Sequence, residues 1–459
     1  MRGHRYRVAA TFVALALAGA ACGGRDNNDN SSSNGGNNGS KGEGAAAIDT
    51  ANCATDPSTP IKGDTIDIVS SFPQSGLTAA FSEIATGWKS YFDMLNDQGG
   101  VDFAGKKYKI AFKDKDDMYD PAQTSANIDE LVGPEGDKAF ATFSVVGTAG
   151  NLAIRQNLND LCVPNVFAAT GSPAWGDPNF PWTIGSTLGP YPLEGAAFVS
   201  LLKDQKPKAK VAMLVQDDDF GRAYEEGFKN AIKGTDITVA KVEKYKAGAD
   251  NVDAQITSLK ASGADAFFNG ATLLACPGAL NAASQQGWKP LTWVSSTCTS
   301  KTLMGIAGAA GNGAYSYTNL LDPLNPDNNS DAAMKEYMDT VKKYFPDADT
   351  TNGIMAYGWT QAALFQKALE QAKKPTRLAL MESLHDLSAT DVGVLLPGIT
   401  VKTGADDPYF GETYNLMKYK FVGNAKTDVN RFDLVGDPIT FEGKTASMTP
   451  PDLIDSSKK

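Results

Sequence analysis

Small hydroxyl and glycine residues follow several predicted strands, where their donors could bind a ligand. The turns at 147–148 and 171–172 pair glycine with threonine or serine, so they can present main-chain N–H groups and hydroxyls together. Such donors bind a carboxylate or carbonyl oxygen without carrying a formal charge, which suits capture rather than reaction. The candidate ligand-binding residues of this kind are Ser75, Gly147, Thr148, Thr170, Gly171, Ser172, Thr272 and Thr297.

Aromatic residues near the same strand ends offer apolar walls for a ligand. Phe81 opens a predicted helix, and Phe220 follows a predicted strand. Burial in a hydrophobic core is an equally good interpretation of each ring.

Covalent catalysis has little support in the sequence. No GxSxG nucleophile elbow is present, and a secreted chain would keep one histidine, His385, so a serine–histidine triad is not expected. The nearest approach to a phosphate loop, Gly443-Lys444-Thr445, has Pro438 where the loop requires glycine. The sequence predicts neither an enzyme nor a cofactor.

The acidic clusters admit more than one interpretation. The acids between 114 and 120 begin like a calcium loop, but Met118 and Tyr119 stand where a ligand and the turn glycine are required. We interpret this stretch as a strand end and helix cap, and predict no metal site. The aspartates at 217–219 end a predicted strand and form either a polar loop or, through Asp217, part of a site.

Strands alternating with helices position these residues. This alternation is typical of parallel βαβ units, with a clear helical stripe of apolar residues between Phe81 and Leu95 and a second helix starting at Asp120-Pro121. The predicted strands are Thr65–Val69, Tyr108–Phe112, Phe140–Val145, Val163–Ala168, Lys210–Val215, Thr238–Tyr245, Ala266–Phe268, Leu291–Val294, Tyr315–Asn319 and Tyr414–Val422.

The remaining cysteines form an even set, as expected of an exported protein. Cys53, Cys162, Cys276 and Cys298 allow three pairings, and no CxxC motif suggests a metal. Cys276 and Cys298 follow consecutive strands of one parallel sheet, and adjacent strands lie about 4.8 Å apart, so we predict that these two pair. Cys53 then pairs with Cys162 by elimination.

The N-terminal residues predict export and a membrane anchor. Three arginines precede an apolar run, Val8 to Ala21, that reads as a signal peptide over 1–21 and is too short to span a bilayer. The run ends at Cys22 and resembles a bacterial lipoprotein processing site, with Gly19 where leucine is usual. An ordinary secretory signal is the alternative. Residues 23–44 hold no apolar side chain and therefore cannot form a packed core. We predict that residues 22–60 form a flexible tether, which holds the folded domains close to the extracytoplasmic face of the membrane.

The length of the chain limits the number of domains, and its net charge limits the kind of partner. A chain of 459 residues is long enough for two domains and a tail. The formal charge is −11, and removing residues 1–21, with three arginines and no acid, would make it −14. This acidity argues against nucleic acid as a partner.

The ordered set of turns resembles a known family, the bacterial solute-binding proteins of the branched-chain amino-acid and amide type. The resemblance covers about residues 61–440. The motifs that carry it are Ser75-Gly76, Gly99-Gly100, Asp120-Pro121, Gly147-Thr148, Ala169-Thr170-Gly171-Ser172 and the segment Val215 to Gly221.

The resemblance implies a type I periplasmic binding protein fold: α/β, with two doubly wound parallel-sheet lobes joined by three crossovers near 186–190, 318–323 and 397–412. Lobe 1 would comprise 61–187 and 322–398, and lobe 2 would comprise 188–321 and 410–455. Open parallel sheets bind ligands beyond the carboxyl ends of their strands, so the ligand should lie between the lobes.

The resemblance also implies the function and part of the site. A lipid-anchored monomer would bind a small polar solute and pass it to the membrane subunits of an ABC import permease, with Tyr357 as an aromatic residue near the cleft. A ligand sensor is an alternative, although a membrane helix or output domain would be expected after the lobes and the sequence ends at Lys459 with neither.

The ligand itself is left open. Amino-acid binders of this family place an acid where this chain has Thr297, and a buried ammonium without a carboxylate is costly. Either Asp217 or Asp218 replaces that acid, or the ligand is a neutral amide or a carboxylate.

Overall fold

Two sheets organise the protein in a computed structural model, which describes residues 48–51, 53–423 and 428–458. In chain order the strands of this part are β1 (Thr65–Phe72), β2 (Val101–Phe103), β3 (Lys106–Asp116), β4 (Ala141–Phe143), β5 (Asn165–Ala168), β6 (Thr183–Gly185), β7 (Lys210–Gln216), β8 (Thr238–Tyr245), β9 (Ala266–Gly270), β10 (Leu291–Val294), β11 (Tyr315–Thr318), β12 (Ser388–Thr390), β13 (Thr400–Lys402), β14 (Thr413–Lys420) and β15 (Arg431–Thr440).

Helices connect these strands and cover the sheets. In the same order they are α1 (Glu83–Asp97), α2 (Pro121–Val132), α3 (Thr148–Leu161), α4 (Tyr191–Gln205), α5 (Asp219–Ala231), α6 (Asp253–Ala261), α7 (Ala275–Gln285), α8 (Lys301–Ala307), α9 (Ala332–Tyr344), α10 (Gly353–Gln371), α11 (Arg377–Leu384), α12 (Thr445–Met448) and α13 (Pro451–Ile454). No helix in the described ranges is long and apolar enough to cross a membrane.

Both sheets are mainly parallel, which confirms the predicted fold class. Lobe 1 has the strand order β2-β3-β1-β4-β5-β6, in which β2 alone runs antiparallel to its neighbour. Lobe 2 has the order β15-β14-β11-β10-β9-β7-β8, with the antiparallel pair β14 and β15 at one edge. A two-stranded ribbon of β12 and β13 packs on the core of lobe 1.

The helical stripe predicted after Phe81 forms α1 and packs against α10. Trp88 and Phe92 of that stripe are buried in the lobe 1 core. The two helices cross closely because glycine lies at the contact: a Cβ on Gly87 would lie 2.0 Å from the main-chain oxygen of Met355. A side chain at that position would force α1 and α10 apart.

Residues 48–51 and 53–60 pack on lobe 1 instead of continuing the tether that was predicted to reach residue 60. Ile48 is buried, the Cys53–Cys162 disulfide has a Cα–Cα distance of 5.2 Å, and Ala54 donates its main-chain N–H to Asp160 O at 3.0 Å. An apolar side chain and a covalent link hold this segment in place. The predicted signal peptide, Cys22 and the tether as far as residue 47 lie outside the described residues.

Both disulfides have the pairings predicted from the sequence. Cys276 lies in the first turn of α7, which follows β9, and Cys298 lies in the turn after β10. Since β9 and β10 are parallel neighbours, the two cysteines meet with a Cα–Cα distance of 6.2 Å.

The chain passes between the lobes at 186–190, 319–331 and 403–412, and these crossovers are tied together. Asn319 donates its side-chain amide to Thr187 O at 2.9 Å, and Gln361 donates to Thr187 Oγ1 at 2.6 Å. The first two connections are thus bonded to each other, and the first is also bonded to α10 of lobe 1.

The C-terminal residues make a further bridge that the predicted lobe 2 segment, 410–455, did not include. Asp452 on α13 forms an ion pair with Arg222 of lobe 2. Four residues later, Ser456 donates its hydroxyl to Asp177 of lobe 1 at 2.9 Å. The C-terminus therefore crosses back to lobe 1.

Candidate ligand-binding cleft

A cavity of about 210 Å³ lies between the lobes, at the carboxyl ends of strands from both sheets. This is the position that open parallel sheets offer to ligands. Its lining includes Phe81, Ile84, Tyr119, Val146, Gly147, Ala169, Thr170, Thr187, Leu188, Tyr191, Phe220, Thr272, Ser296, Thr297, Tyr317, Asn319, Asp322, Tyr357, Tyr414 and Phe432.

The lobe 1 wall is built around the start of α3. Gly147 is the N-cap residue with φ +95°, a value that favours glycine, and no side chain caps this helix. The first N–H groups of α3 and the positive end of its dipole are therefore available to an oxygen atom of a ligand. Behind them, Thr148 Oγ1 and Thr170 Oγ1 lie 2.6 Å apart, and Thr170 Oγ1 is 3.1 Å from the hydroxyl of Tyr191.

The lobe 2 wall is held in place by a buried carboxyl group. Glu194 on α4 has no exposed surface and accepts hydrogen bonds from Tyr224 (2.6 Å), Trp293 Nε1 (3.1 Å) and both the main-chain N–H and the hydroxyl of Ser296. Burial raises the pKa of Glu194 from 4.5 to about 7. Ser296 and the adjacent Thr297 line the cavity, so Glu194 orients the hydroxyl groups that a ligand meets.

Two buried hydroxyls of the lining lack a hydrogen-bond partner within the described part of the chain. Thr272 is 3% exposed and Tyr317 is 2% exposed, and neither hydroxyl has a protein partner there. An unpaired buried hydroxyl is costly, so a ligand that bonds to either one gains more than an average hydrogen bond.

The charges around the cavity are negative. Among the described lining residues there is no Lys, Arg or His, and Asp322 is the one acid. Burial raises the pKa of Asp322 to about 6. Burial also raises the pKa of Asp218, which caps α5 by accepting from Gly221 N at 3.1 Å and from Gln216 at 2.6 Å. The described lining thus offers no cationic side chain to a ligand.

Residues 65–425 match the family model of periplasmic binding proteins, which is well over half of the chain. The protein belongs to the periplasmic binding protein family. Its members are binding proteins rather than enzymes, in agreement with the prediction that this chain is not an enzyme. The predicted family resemblance is therefore confirmed.

Individual relatives support the same assignment. A Leu/Ile/Val-binding protein homolog of Brucella melitensis is 28% identical over 202 residues, covering 43% of this chain and about half (52%) of the relative. A branched chain amino acid ABC transporter protein from Thermus thermophilus with bound valine has a TM-score of 0.70 at 18% identity, covering 83% of this chain and 97% of its own. A solute binding protein from R. palustris in complex with 4-hydroxybenzoate has a TM-score of 0.69 at 17% identity, covering 82% and 97%. At these identities the two structures show the fold alone.

The structure of this periplasmic binding protein brings part of the predicted site together. The residues that line the cavity are Phe81, Gly147, Thr170, Phe220, Thr272, Thr297 and Tyr357. Tyr357 also donates its hydroxyl to Ser186 at 2.6 Å, beside the first crossover.

Five other candidates lie outside the cavity lining. Ser75 is exposed and bonds to Asp116, and Asp217 is an exposed partner of Lys244 at 3.4 Å. Thr148 and Gly171 are buried behind the lining, and Ser172 caps the turn that begins at Pro173.

Several residues that line the cavity were not predicted from the sequence. Tyr119 was assigned to a solvated strand end, because its contribution depends on an unusual turn conformation. Tyr191 was not among the candidates, although it is the first residue of α4 and is flanked by Pro190 and Pro192. Proline at the start of a helix was the signal that could have identified it.

A separate acidic cluster lies away from the cleft lining. One carboxylate oxygen from each of Asp407, Glu412 and Glu442 falls within 4.8 Å of the others. Glu412 accepts hydrogen bonds from Gly443 N at 2.6 Å and from the main chain and hydroxyl of Thr445. We interpret the cluster as a cap for the turn that leads to α12.

Proposed function

We propose that this protein is the lipid-anchored binding component of an ABC-type importer and captures a small ligand in the interlobe cavity. The observation that carries the proposal is the cavity itself, which is lined from both lobes and lies beside the crossovers that form a hinge, two of which are bonded to each other. Such a hinge lets a ligand that contacts both walls favour the closed form. The Thermus thermophilus and R. palustris proteins of the same fold carry valine and 4-hydroxybenzoate.

The lining favours a ligand with an apolar or aromatic body and an uncharged amide or a carboxylate as its polar head. Aromatic rings provide the body contacts, and the start of α3, Thr272 and Tyr317 provide hydrogen bonds. An ammonium group would meet Thr297 where amino-acid binders of the family have an acid. Asp217, one of the two proposed substitutes, is 61% exposed and paired with Lys244.

A branched-chain amino acid is the second candidate, and the observation that favours it is Asp218. This carboxyl group is partly buried, and it caps α5 two residues before Phe220, which lines the cavity. The name of the Brucella melitensis relative, a Leu/Ile/Val-binding protein homolog, points the same way.

Calorimetric titration separates the two candidates. The probes are leucine, isoleucine, valine, short amides and aromatic carboxylates, each tested on the wild type, Asp218→Asn and the matched control Asp217→Asn. Asparagine is also a good N-cap, so Asp218→Asn removes the charge and keeps the helix cap. An amino acid that binds tightly and loses at least tenfold in affinity only in Asp218→Asn would establish the second candidate.

Proton exchange gives an independent reading of the same titrations. An ammonium group beside a buried acid lowers the pKa of that acid, so binding releases protons. A carboxylate ligand raises the pKa values of the surrounding acids, so binding takes protons up. Titration in two buffers with different ionisation enthalpies shows whether protons are released or taken up on binding. Binding of none of these probes would refute the proposed ligand classes.

The anchor is tested separately on Cys22. A lipid chain contributes about 0.8 kcal/mol of membrane affinity per buried CH₂ group, so Cys22→Ala should give a folded protein that is recovered in the soluble fraction. Equal recovery of variant and wild type with the membranes would contradict lipid anchoring.

A further inference from the structure

Tyr119 lies in the turn between β3 and α2 and projects into the cavity. Its backbone has φ +64°, and the preceding Met118 has φ +50°. Two consecutive non-glycine residues in the left-handed region are unfavourable, so neighbouring groups must hold this turn. Met118 points away and is 60% exposed, whereas Tyr119 is partly buried and lines the cavity.

The turn is held by two aspartates. Asp117 is fully buried and accepts hydrogen bonds from Tyr119 N (3.0 Å), the Ser71 hydroxyl (3.0 Å) and the Thr124 hydroxyl (2.9 Å). Asp116 accepts from Met118 N at 2.9 Å and from Gln74 N at 2.8 Å. Both residues are anchored in lobe 1, so the direction of the Tyr119 side chain is fixed from that lobe.

The ring of Tyr119 packs on Gly147, the residue before α3. A Cβ added at Gly147 would lie 2.8 Å from a ring carbon of Tyr119, which shows how closely the ring lies on that glycine. On its other side, the ring centroid is 6.1 Å from that of Phe81. The ring therefore forms an end wall of the cavity.

We propose that Tyr119 determines the length of ligand that the cleft accepts. This inference rests on the proposed function, because it concerns the same cavity. Removing the ring would extend the cavity beside Gly147, and removing the hydroxyl alone would leave the end wall in place.

The test uses two graded series of probes, 4-alkylbenzoates with one to four alkyl carbons and straight-chain α-amino acids from alanine to norleucine. Tyr119→Ala should shift the preferred chain length upward, with affinity rising about fourfold for each methylene group that enters the vacated space. Tyr119→Phe keeps the ring and should therefore keep the preferred length. Met118→Ala, in the same turn, should follow the wild type.

Two outcomes would overturn the proposal. The first is an unchanged preferred length in Tyr119→Ala when the wild type binds the series; Tyr119→Gly, which tolerates positive φ, replaces that variant if it does not fold. If the wild type binds neither series, the ligand classes proposed above fail, and Tyr119→Ala tests the end wall by itself. Binding of the longer probes by Tyr119→Ala then supports the end wall, and binding of none of them refutes it.

Discussion

Replacing Glu194 by glutamine would change the lobe 2 wall and the pH dependence of stability together. The carboxyl group of Glu194 is buried at the centre of lobe 2 and accepts from three residues, of which Trp293 and the main chain of Ser296 can only donate. A glutamine side chain has one oxygen for these donors, and its NH₂ group would face the others. We expect Glu194→Gln to cost about 1 to 3 kcal/mol of unfolding free energy at pH 5, where Glu194 is neutral.

The pH dependence follows from the pKa of Glu194, which burial raises from 4.5 to about 7. Because the folded pKa lies above the unfolded one, the protonated form stabilises the folded state fully below about pH 4.5. That contribution is lost as the pH rises through about 7. A shift from 4.5 to about 7 corresponds to at most about 3 kcal/mol, since one pKa unit is about 1.4 kcal/mol.

Urea unfolding at pH 4.5 to 8 measures this effect as the difference between wild type and Glu194→Gln. The deficit of the variant should be largest at low pH and should shrink by up to about 3 kcal/mol by pH 8, because glutamine does not titrate. Glu336→Gln, on the exposed side of α9, is the matched control. A difference between wild type and Glu194→Gln that stays constant across the whole pH range would refute the reasoning.

Three further predictions follow from the described contacts. Tyr317→Phe removes a buried hydroxyl that has no protein partner in the described chain. The free protein should therefore be equally or more stable, while ligand affinity measured by calorimetry should fall about 2- to 12-fold. A loss of stability would contradict this. Replacing Cys53 and Cys162, whose disulfide spans 109 residues, should lower the free energy of unfolding by about 4.8 kcal/mol. Replacing Cys276 and Cys298, whose disulfide spans 22 residues, should lower it by about 3.4 kcal/mol. Urea unfolding measures both losses, and the reverse order would exclude a chain-entropy origin. Arg222→Ala breaks the ion pair to the C-terminal bridge, so scattering should show a more open free protein, and an unchanged radius of gyration would argue against a restraining bridge.

The sequence predicted the elements that depend on local chemistry. The stripe of α1 and the cap at Asp120, which accepts from Ala122 N at 2.8 Å, are both present because periodicity and capping act within a few residues. The short strands β2 and β6 were missed, since three-residue segments have little pattern and depend on pairing with distant strands.

The candidate site was partly predictable for a similar reason. Strand ends can be located from sequence, and the rule that ligands bind there selected Gly147, Thr170, Thr272 and Thr297, which line the cavity. The orientation of a side chain within a turn cannot be read in this way. Of the aspartates at 217–219, the second turns inward to cap α5 while the first faces solvent.

The two walls of the cleft are held in place in different ways, and we therefore expect them to have different roles in ligand binding. On lobe 2, the hydroxyls of Ser295 and Thr297 lie 2.8 Å apart and connect through Tyr224 to Glu194, so the wall is a hydrogen-bonded network fixed from within the core. On lobe 1, the wall ends in Tyr119, which is held by a turn in an unfavourable conformation. A fixed network orients a polar head, because its donors cannot move to suit a different ligand. An end wall made by one ring changes with a single residue, so the range of ligand lengths can change between related proteins while the orientation of the head stays the same.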